Sequence, residues 1–217
     1  MTHRFTPTLI AAALSIGLSG NANAATISTL ADENSTIYSW GLPDTAAYGQ
    51  TFSVMALSVL NAFSFRVNDF GLSMDFQANV FSWDGFKTVG SAIFSTMGAT
   101  IGSASMQTVT VNTGTTALGS GQYVAFLQAL TEGNARWGSV AGVDSYAGGA
   151  FVFQNNTGDT SLWGVSNWTS NWQGVGSDLA FEVVLDAVAP VPLPAGGVLL
   201  LTALAATAVL RRRKNAA

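Results

Sequence analysis

The residue types that could carry chemistry in this 217-residue chain are few, and carboxylates come first. Four of them could face one another across a sheet: Asp69, Asp75, Asp84 and Glu182. Glycoside hydrolysis needs two carboxyl groups at a suitable separation. Several of the acidic residues stand in turn contexts such as Trp83-Asp84-Gly85, where solvation accounts for a charged side chain. The pattern therefore favours a surface role over a catalytic pair.

Histidine and cysteine chemistry is excluded from residues 25–186, which we call the body of the chain. The only histidine is His3, and there is no cysteine. Zinc fingers, iron–sulfur clusters, disulfides, thiol nucleophiles and His-based triads are therefore ruled out. Twelve acidic and three basic residues lie between Asp32 and Asp186, a net charge of −9, which repels phosphate backbones. We expect no enzymatic activity, no catalytic cofactor and no nucleic-acid partner.

Oxygen ligands for a hard cation such as Ca²⁺ occur at two places. Asn155, Asn156 and Asp159 share one loop, and Asp32 precedes Glu33 near the start of the body. Neither group matches an EF-hand loop. Asn and Asp also bond their own backbone in turns, so turn chemistry is the alternative explanation. A structural calcium ion is thus an open alternative beside the expectation of no cofactor.

The tryptophans are the most suggestive side chains for binding. Trp163, Trp168 and Trp172 recur at close spacing in surroundings rich in Gly, Asn and Ser. Exposed rings there could stack on the faces of sugars, since tryptophan offers a flat apolar face and one N–H donor. Packing in the core or at its rim is the alternative, and the large area that each ring buries favours it.

A period of two in the apolar residues indicates which elements position these side chains. Phe63, Phe65 and Val67 share one face, and residues 74–83 alternate before the hairpin signal Asp84-Gly85. The other predicted strands cover residues 48–54, 87–94, 107–112, 122–128, 150–154, 162–165 and 179–185. No window of the body has the apolar stripe of a helix. We predict an all-β fold over residues 25–186, a jelly-roll-like two-sheet β-sandwich, with a single-sheet barrel as the alternative.

The N-terminal residues 1–24 have the three parts of a signal peptide. A basic start precedes an apolar run over residues 9–18, and Ala22 and Ala24 are the small residues of a cleavage box. The run is too short to span a bilayer, and a buried N-terminal helix is the alternative. We predict that signal peptidase cleaves after Ala24 and that the body lies outside the cytoplasm.

The C-terminus also has three parts, a linker and motif over residues 187–195, an apolar run over 196–210 and a basic end over 211–217. The motif consists of Val191, Pro192, Leu193, Pro194 and Ala195. The apolar run predicts a single transmembrane helix of about 22 Å, short for a hydrocarbon core of about 30 Å unless the arginines snorkel. The basic stop of Arg211, Arg212, Arg213 and Lys214 would stay cytoplasmic. A buried terminal helix is the alternative.

Residues 191–214 resemble the PEP-CTERM class of sorting signal, and more closely its VPLPA-CTERM variant. The proline motif, the apolar helix and the basic end occur in the order of that class, although the Pro-Glu-Pro of the main class is absent. The resemblance implies that exosortase, a membrane enzyme of Gram-negative bacteria, removes the tail during export. Many bacteria with such tails make extracellular polysaccharide. A glycolipid-anchor signal is a competing type of tail, but such a signal ends in its apolar run without a strong basic stop. A cell-wall signal of the LPxTG type is excluded because that motif does not occur in the chain.

Taken together, these features predict an exported, non-enzymatic surface or extracellular-matrix protein. Its partners would be signal peptidase and exosortase in transit, the membrane through the C-terminal helix before processing, and exopolysaccharide bound by exposed aromatic residues. The expected location is the membrane in transit and afterwards the cell surface or the exterior, as in a biofilm. The alternative is a secreted carbohydrate-active enzyme with a carboxylate pair, because β-sandwiches host both roles.

Overall fold

The computed structural model describes residues 24–96, 98–170 and 178–188, and these are all β apart from two short 3₁₀ helices. The described strands are β1 (Ala24–Ser28), β2 (Ser35–Trp40), β3 (Ala47–Val54), β4 (Ser58–Asn68), β5 (Met74–Trp83), β6 (Thr88–Ser95), β7 (Ala99–Ile101), β8 (Gln107–Leu118), β9 (Gly121–Ala129), β10 (Ala135–Val140), β11 (Phe151–Gln154), β12 (Thr169–Ser170), β13 (Asp178–Leu179) and β14 (Phe181–Ala187). The 3₁₀ helices are η1 (Leu30–Asp32) and η2 (Thr160–Gly164). The predicted all-β class is confirmed.

The described strands form two separate antiparallel sheets. In the first sheet, the long strand β4 pairs with β8 along one edge and with β14 and β10 along the other. Strand β1 continues that sheet beyond β14, while β2 and β13 pair with β10. The second sheet has the order β12-β11-β3-β9-β5-β6, and β7 pairs with the start of β5. The single-sheet barrel alternative is therefore wrong.

The main core lies between the two sheets, because alternate side chains of each strand point inward. Phe63, Phe65 and Val67 of β4 are at most 1% exposed, as their spacing predicted. Tyr48 of the second sheet and Trp137 of the first meet with ring centroids 5.5 Å apart. The contact joins the two layers, and each such buried ring stabilises the fold by roughly 2–3 kcal/mol.

The second sheet is covered on its outer face as well. On β9, Ala125 and Leu127 point into the main core, whereas Phe126 belongs to a second apolar cluster on the opposite face. The Phe126 ring centroid lies 4.9 Å from that of Trp163 and 5.0 Å from that of Trp168. The segment after β11 therefore folds back over the sheet, and β9 is buried on both faces.

The predicted strand at residues 162–165 is wrong, because the chain forms η2 there. The Asp159 side chain caps this helix by accepting hydrogen bonds from the Ser161 N–H at 2.9 Å and from the Ser161 hydroxyl at 2.7 Å. The cap turns the chain tightly and lets Trp163 reach the sheet. An apolar run of four residues does not distinguish a strand from one helical turn.

The remaining predicted strands are present, and β5 has the predicted bounds. Asp84 accepts hydrogen bonds from the N–H groups of Phe86 and Lys87, and Gly85 has φ +101°, so the predicted hairpin to β6 is also confirmed. The structure adds β1, β2, β7, β10 and β12, which alternation did not predict. Strand β10 contains a register shift between Ala135 and Trp137, and such an irregularity interrupts a period of two.

The predicted export segments fall mainly outside the described residues. Ala24 opens β1, whereas Ala22, the motif at 191–195, the apolar run at 196–210 and the basic end at 211–217 are not among the described residues. In the ranges 24–96, 98–170 and 178–188, no helix combines the length and apolar character needed to cross a bilayer.

Candidate functional site

A groove of about 310 Å³ opens at the surface where the β2–β3 connection meets the residues before β10 and after β11. It is lined by Tyr38, Ser39, Asp44, Thr45, Tyr48, Asn134 and Asn155. Every one of these side chains carries a hydroxyl, an amide or a carboxylate group, and two of them are aromatic. Convergent polar groups beside aromatic surface suit a ligand that is rich in hydroxyl groups.

Backbone hydrogen bonds between the β2–β3 and β9–β10 loops hold the groove together. The Leu42 N–H donates to the Thr131 carbonyl at 3.2 Å, and the Gly133 N–H donates to the Leu42 carbonyl at 3.3 Å. Gly41 lies against the Gly133 backbone with no room for a Cβ atom. Glycine at position 41 therefore permits the close approach of the two loops that contribute polar side chains to the groove.

Tyr48 forms the buried side of the groove. Its side chain is 3% exposed, and its hydroxyl donates to the Ser39 carbonyl at 3.3 Å. Burial raises the pKa of the Tyr48 phenol far above its ordinary value, and the nearby Asp44 carboxylate raises it further. The phenol therefore stays protonated at neutral pH and is a hydrogen-bonding group, not a base.

Thr45 orients the amide of Asn155. The Thr45 hydroxyl donates to Asn155 Oδ1 at 2.6 Å, and the Asn155 Nδ2 group makes no hydrogen bond within the described residues. That group can donate to a ligand hydroxyl. Asp44 and Asn134 are exposed and add an acceptor and a second amide. The groove therefore offers donors and acceptors whose positions depend on three different loops.

Tyr38 connects the groove to a pair of cation–π contacts on the surface. The Arg136 Cζ atom lies 5.3 Å from the centroid of the Tyr38 ring and 5.2 Å from that of Phe70. Tyr38 is 57% exposed and Phe70 is 46% exposed. The Phe70 N–H donates to Asn68 Oδ1 at 2.8 Å, which helps to hold the turn that carries the ring. The groove therefore has a cation and two aromatic rings beside one end.

The carboxylates considered for catalysis are engaged separately. Asp69 accepts hydrogen bonds from backbone N–H groups, and Asp75 accepts one from the Thr100 hydroxyl at 2.6 Å. Asp84 lies beyond the other end of β5, whose ten residues span about 33 Å. Glu182 lies on β14 of the first sheet. Glycosidase carboxyl groups stand within about 10 Å of each other, so Asp84 is too far from Asp69 and Asp75.

Three of the proposed calcium ligands have other partners. Asn155 accepts the Thr45 hydroxyl, Asp159 caps η2, and Glu33 forms an ion pair with Arg66 at 2.8 Å. Asn156 is buried, and its Nδ2 group donates to the carbonyl of Asp159 at 3.1 Å, whereas its Oδ1 atom has no hydrogen-bond partner among the described residues. Among the described residues, no three His, Cys, Asp or Glu side chains are grouped to hold a metal ion. A structural calcium ion therefore stays a prediction.

Trp163 and Trp168 lie in the second apolar cluster and do not line the groove. They are 9% and 7% exposed. Trp163 Nε1 donates to Gln128 Oε1 at 3.1 Å, and Trp168 Nε1 donates to the Trp163 carbonyl at 3.0 Å. Their rings contact protein, so the interpretation of these two residues as exposed sugar-stacking platforms is corrected to packing. Trp172 is outside the described residues.

Sequence reasoning did not single out Tyr38, Arg136 or Phe70. These residues belong to β2, to β10 and to the turn after β4, and nothing in the local sequence of any of them signals binding. Strand β10 pairs with both β2 and β4 and places Arg136 opposite Asn68, which brings the three together. The sequence indicated Asn155 as a possible oxygen ligand for a cation. In the structure, the amide of Asn155 lines the groove.

No family model matches the chain, and no curated protein matches it either. Among solved structures, the chain is similar to the crystal structure of the cysteine protease and lectin-like domains of Cwp84, a surface layer associated protein of Clostridium difficile, with a TM-score of 0.45 and 7% sequence identity. The similarity covers 70% of this chain and 36% of that one, so the chain spans about a third of that structure. A similarity at this level assigns neither a family nor an activity.

Proposed function

We propose that the protein is an exported, non-enzymatic surface or extracellular-matrix protein that holds polysaccharide in the groove. The lining of the groove carries the proposal, because sugars present hydroxyl groups and flat apolar faces that match amides, hydroxyls and aromatic rings. Asp44 is the one carboxylate among the described lining residues, whereas glycoside hydrolysis generally uses two. This difference supports binding over the alternative of a carbohydrate-active enzyme.

The scaffold in this proposal is a jelly-roll-like sandwich. The order β1-β14-β4-β8 in the first sheet and β3-β9-β5-β6 in the second supports it. The chain changes sheets between β3 and β4, between β4 and β5, and between β8 and β9, as expected for Greek-key connections. Such connections gather loops from distant parts of the chain at the ends of the sandwich, where a binding groove can form.

The route of export in this proposal follows the two terminal segments. Signal peptidase cleaves after Ala24, the apolar run at 196–210 holds the chain in the membrane, and exosortase then removes the tail at the motif over 191–195. Cleavage after Ala24 retains residues 25–28 of β1, which pair with β14 from Glu182 to Leu185. The mature body therefore keeps its edge strand.

We expect the protein isolated from the surface of its producer to begin at Ala25 and to end within residues 191–195. Both hydrophobic segments serve transport and are removed afterwards. Intact-mass and terminal-peptide mass spectrometry checks this expectation. Deletion of residues 191–217 should leave the body in the periplasm. A surface protein that retains Arg211, or unchanged localisation after the deletion, contradicts the role of the tail.

For the groove, we expect Asp44→Ala combined with Asn134→Ala to weaken polysaccharide binding at least about tenfold. Each substitution removes hydrogen bonds worth about 1 kcal/mol, and a tenfold change corresponds to about 1.4 kcal/mol. Both residues are exposed, so the fold should persist. Affinity electrophoresis of the full chain in gels containing the producer's polysaccharide measures the change.

The matched control combines Asn112→Ala with Asp186→Ala, which removes the same two residue types at exposed positions outside the groove. This control should bind as the unaltered chain does. Equal binding by all three proteins, or no retention of any of them, contradicts polysaccharide binding in the groove. Release of reducing sugar from the polysaccharide by the full chain would favour the alternative function, a carbohydrate-active enzyme.

A further inference from the structure

We propose that the groove prefers an acidic polysaccharide and that Arg136, whose guanidinium carbon lies over the rings of both Tyr38 and Phe70, binds the carboxylate of a uronic acid unit. This inference rests on the proposed function and adds the charge of the ligand to it. The arrangement that carries it is the continuity of two features, since the Tyr38 ring both lines the groove and contacts the Arg136 guanidinium.

The N–H donors of Arg136 are available to a ligand. A cation–π contact uses the charge of a guanidinium and none of its five N–H donors. Arg136 is exposed, and within the described residues its guanidinium forms no ion pair and no hydrogen bond. The attraction to two rings favours one position of the Arg136 side chain, so less conformational freedom is lost when a carboxylate binds.

The other two basic residues of the body are engaged near acidic groups. Arg66 Nε donates to Glu33 Oε2 at 2.8 Å, and Lys87 follows the Asp84 turn, where its charge acts on that carboxylate. In a body with this excess of acidic residues, Arg136 is therefore the cation placed to receive an external anion. Other surface charges repel a polyanion, so the attraction has to be local.

The charges also set the orientation of the ligand. Asp44 lines the groove and repels a carboxylate that is bound beside it. The acidic sugar unit therefore lies at the Tyr38 end, against Arg136, and the hydroxyl groups of the neighbouring unit lie near Asp44, Asn134 and Asn155. An alternation of acidic and neutral units, or a uronate whose carboxylates project to one side, fits this distribution of charge.

Two matched probes test the inference, hexagalacturonate and its fully methyl-esterified form, which differ in charge but share one sugar backbone. Isothermal titration of the full chain in a neutral detergent should show at least about tenfold tighter binding of the acidic form at low salt. Arg136→Gln should abolish this preference. Arg136→Lys should retain part of it, because lysine keeps the charge but loses the planar fork. Added salt should reduce the preference.

Lys87→Gln is the matched control, because it removes one positive charge beyond the far end of β5. The Lys87→Gln protein should keep the preference for the acidic probe. If this variant loses the preference, the effect is one of general charge and the inference is overturned. Equal affinity for the two probes, or an unchanged preference in Arg136→Gln, also overturns it. If neutral sugars bind and depend on Asp44 and Asn134 but not on Arg136, the proposed function stands and this inference fails. If no sugar binds, both fail.

Discussion

Replacing Trp163 by alanine is expected to destabilise the body by about 4 kcal/mol, as large-to-small changes at buried aromatic residues do. The Trp163 ring is buried against Phe81 and Phe126, at centroid distances of 5.7 and 4.9 Å. Its Nε1 group also donates to Gln128 Oε1. Truncation would open a cavity on the outer face of the second sheet and leave the Gln128 oxygen with one donor fewer. Urea denaturation followed by circular dichroism measures the loss.

Two further variants separate packing from a direct role of Trp163 in binding. Trp163→Phe retains most of the apolar contact and loses the Nε1 donor. It should therefore lower the free energy of unfolding by roughly half as much as Trp163→Ala does. Val165 is 71% exposed, and Val165→Ala should change stability by less than about 0.5 kcal/mol. Trp163→Phe should bind polysaccharide normally. A Trp163→Ala protein that is as stable as the unaltered chain but fails to bind sugar would contradict the packing role.

Asp69→Asn is expected to destabilise the protein by about 3 kcal/mol at pH 7. The buried Asp69 carboxylate accepts hydrogen bonds from four backbone N–H groups: Gly71 at 3.1 Å, Ser73 at 2.9 Å, Met74 at 3.4 Å and Ser103 at 2.8 Å. An asparagine has one acceptor oxygen and no charge, so it cannot satisfy the same donors. The loss also loosens the turn that presents Phe70 to Arg136.

The same carboxylate predicts a pH dependence. Burial by itself would raise the pKa of Asp69, but the hydrogen bonds from Ser103, Gly71, Met74 and Ser73 outweigh it and lower the pKa. A carboxyl group whose pKa is lower in the folded state stabilises the protein above its ordinary pKa of about 4, and this contribution is lost as the pH falls through the lowered value. The difference in the free energy of unfolding between the unaltered chain and Asp69→Asn should therefore have its full size at pH 7. It should become smaller below about pH 4.

Urea titrations at pH 7, 5 and 3 test this dependence, with Asp186→Asn as the matched control. Asp186 is exposed near the end of β14, and no hydrogen bond of its side chain is present among the described contacts. Its replacement should change stability by less than about 0.5 kcal/mol at each pH. Two results would show that the carboxylate does not organise the turn. Asp69→Asn could change the free energy of unfolding only slightly at pH 7, or it could change it by the same amount at pH 7, 5 and 3.

Local periodicity was enough to predict the long strands of the two sheets, because the direction of a side chain along a strand alternates residue by residue. The alternation around Phe63 and Phe65 predicted β4, the one over residues 74–83 predicted β5, and Asp84-Gly85 predicted the hairpin that follows. The same reasoning failed at residues 162–165, where a capped turn replaces a strand, and at β10, where a register shift breaks the period.

The composition of the chain excludes histidine and cysteine chemistry from the body, and its residue pattern predicts the all-β class, since both are properties of residue type and local order. The covering of Trp163 and Trp168 and the meeting of Tyr38, Arg136 and Phe70 depend on pairings between distant strands, above all that of β10 with β2 and β4. Burial and proximity across such separations arise from the packing of whole sheets, and no local window of residues encodes them.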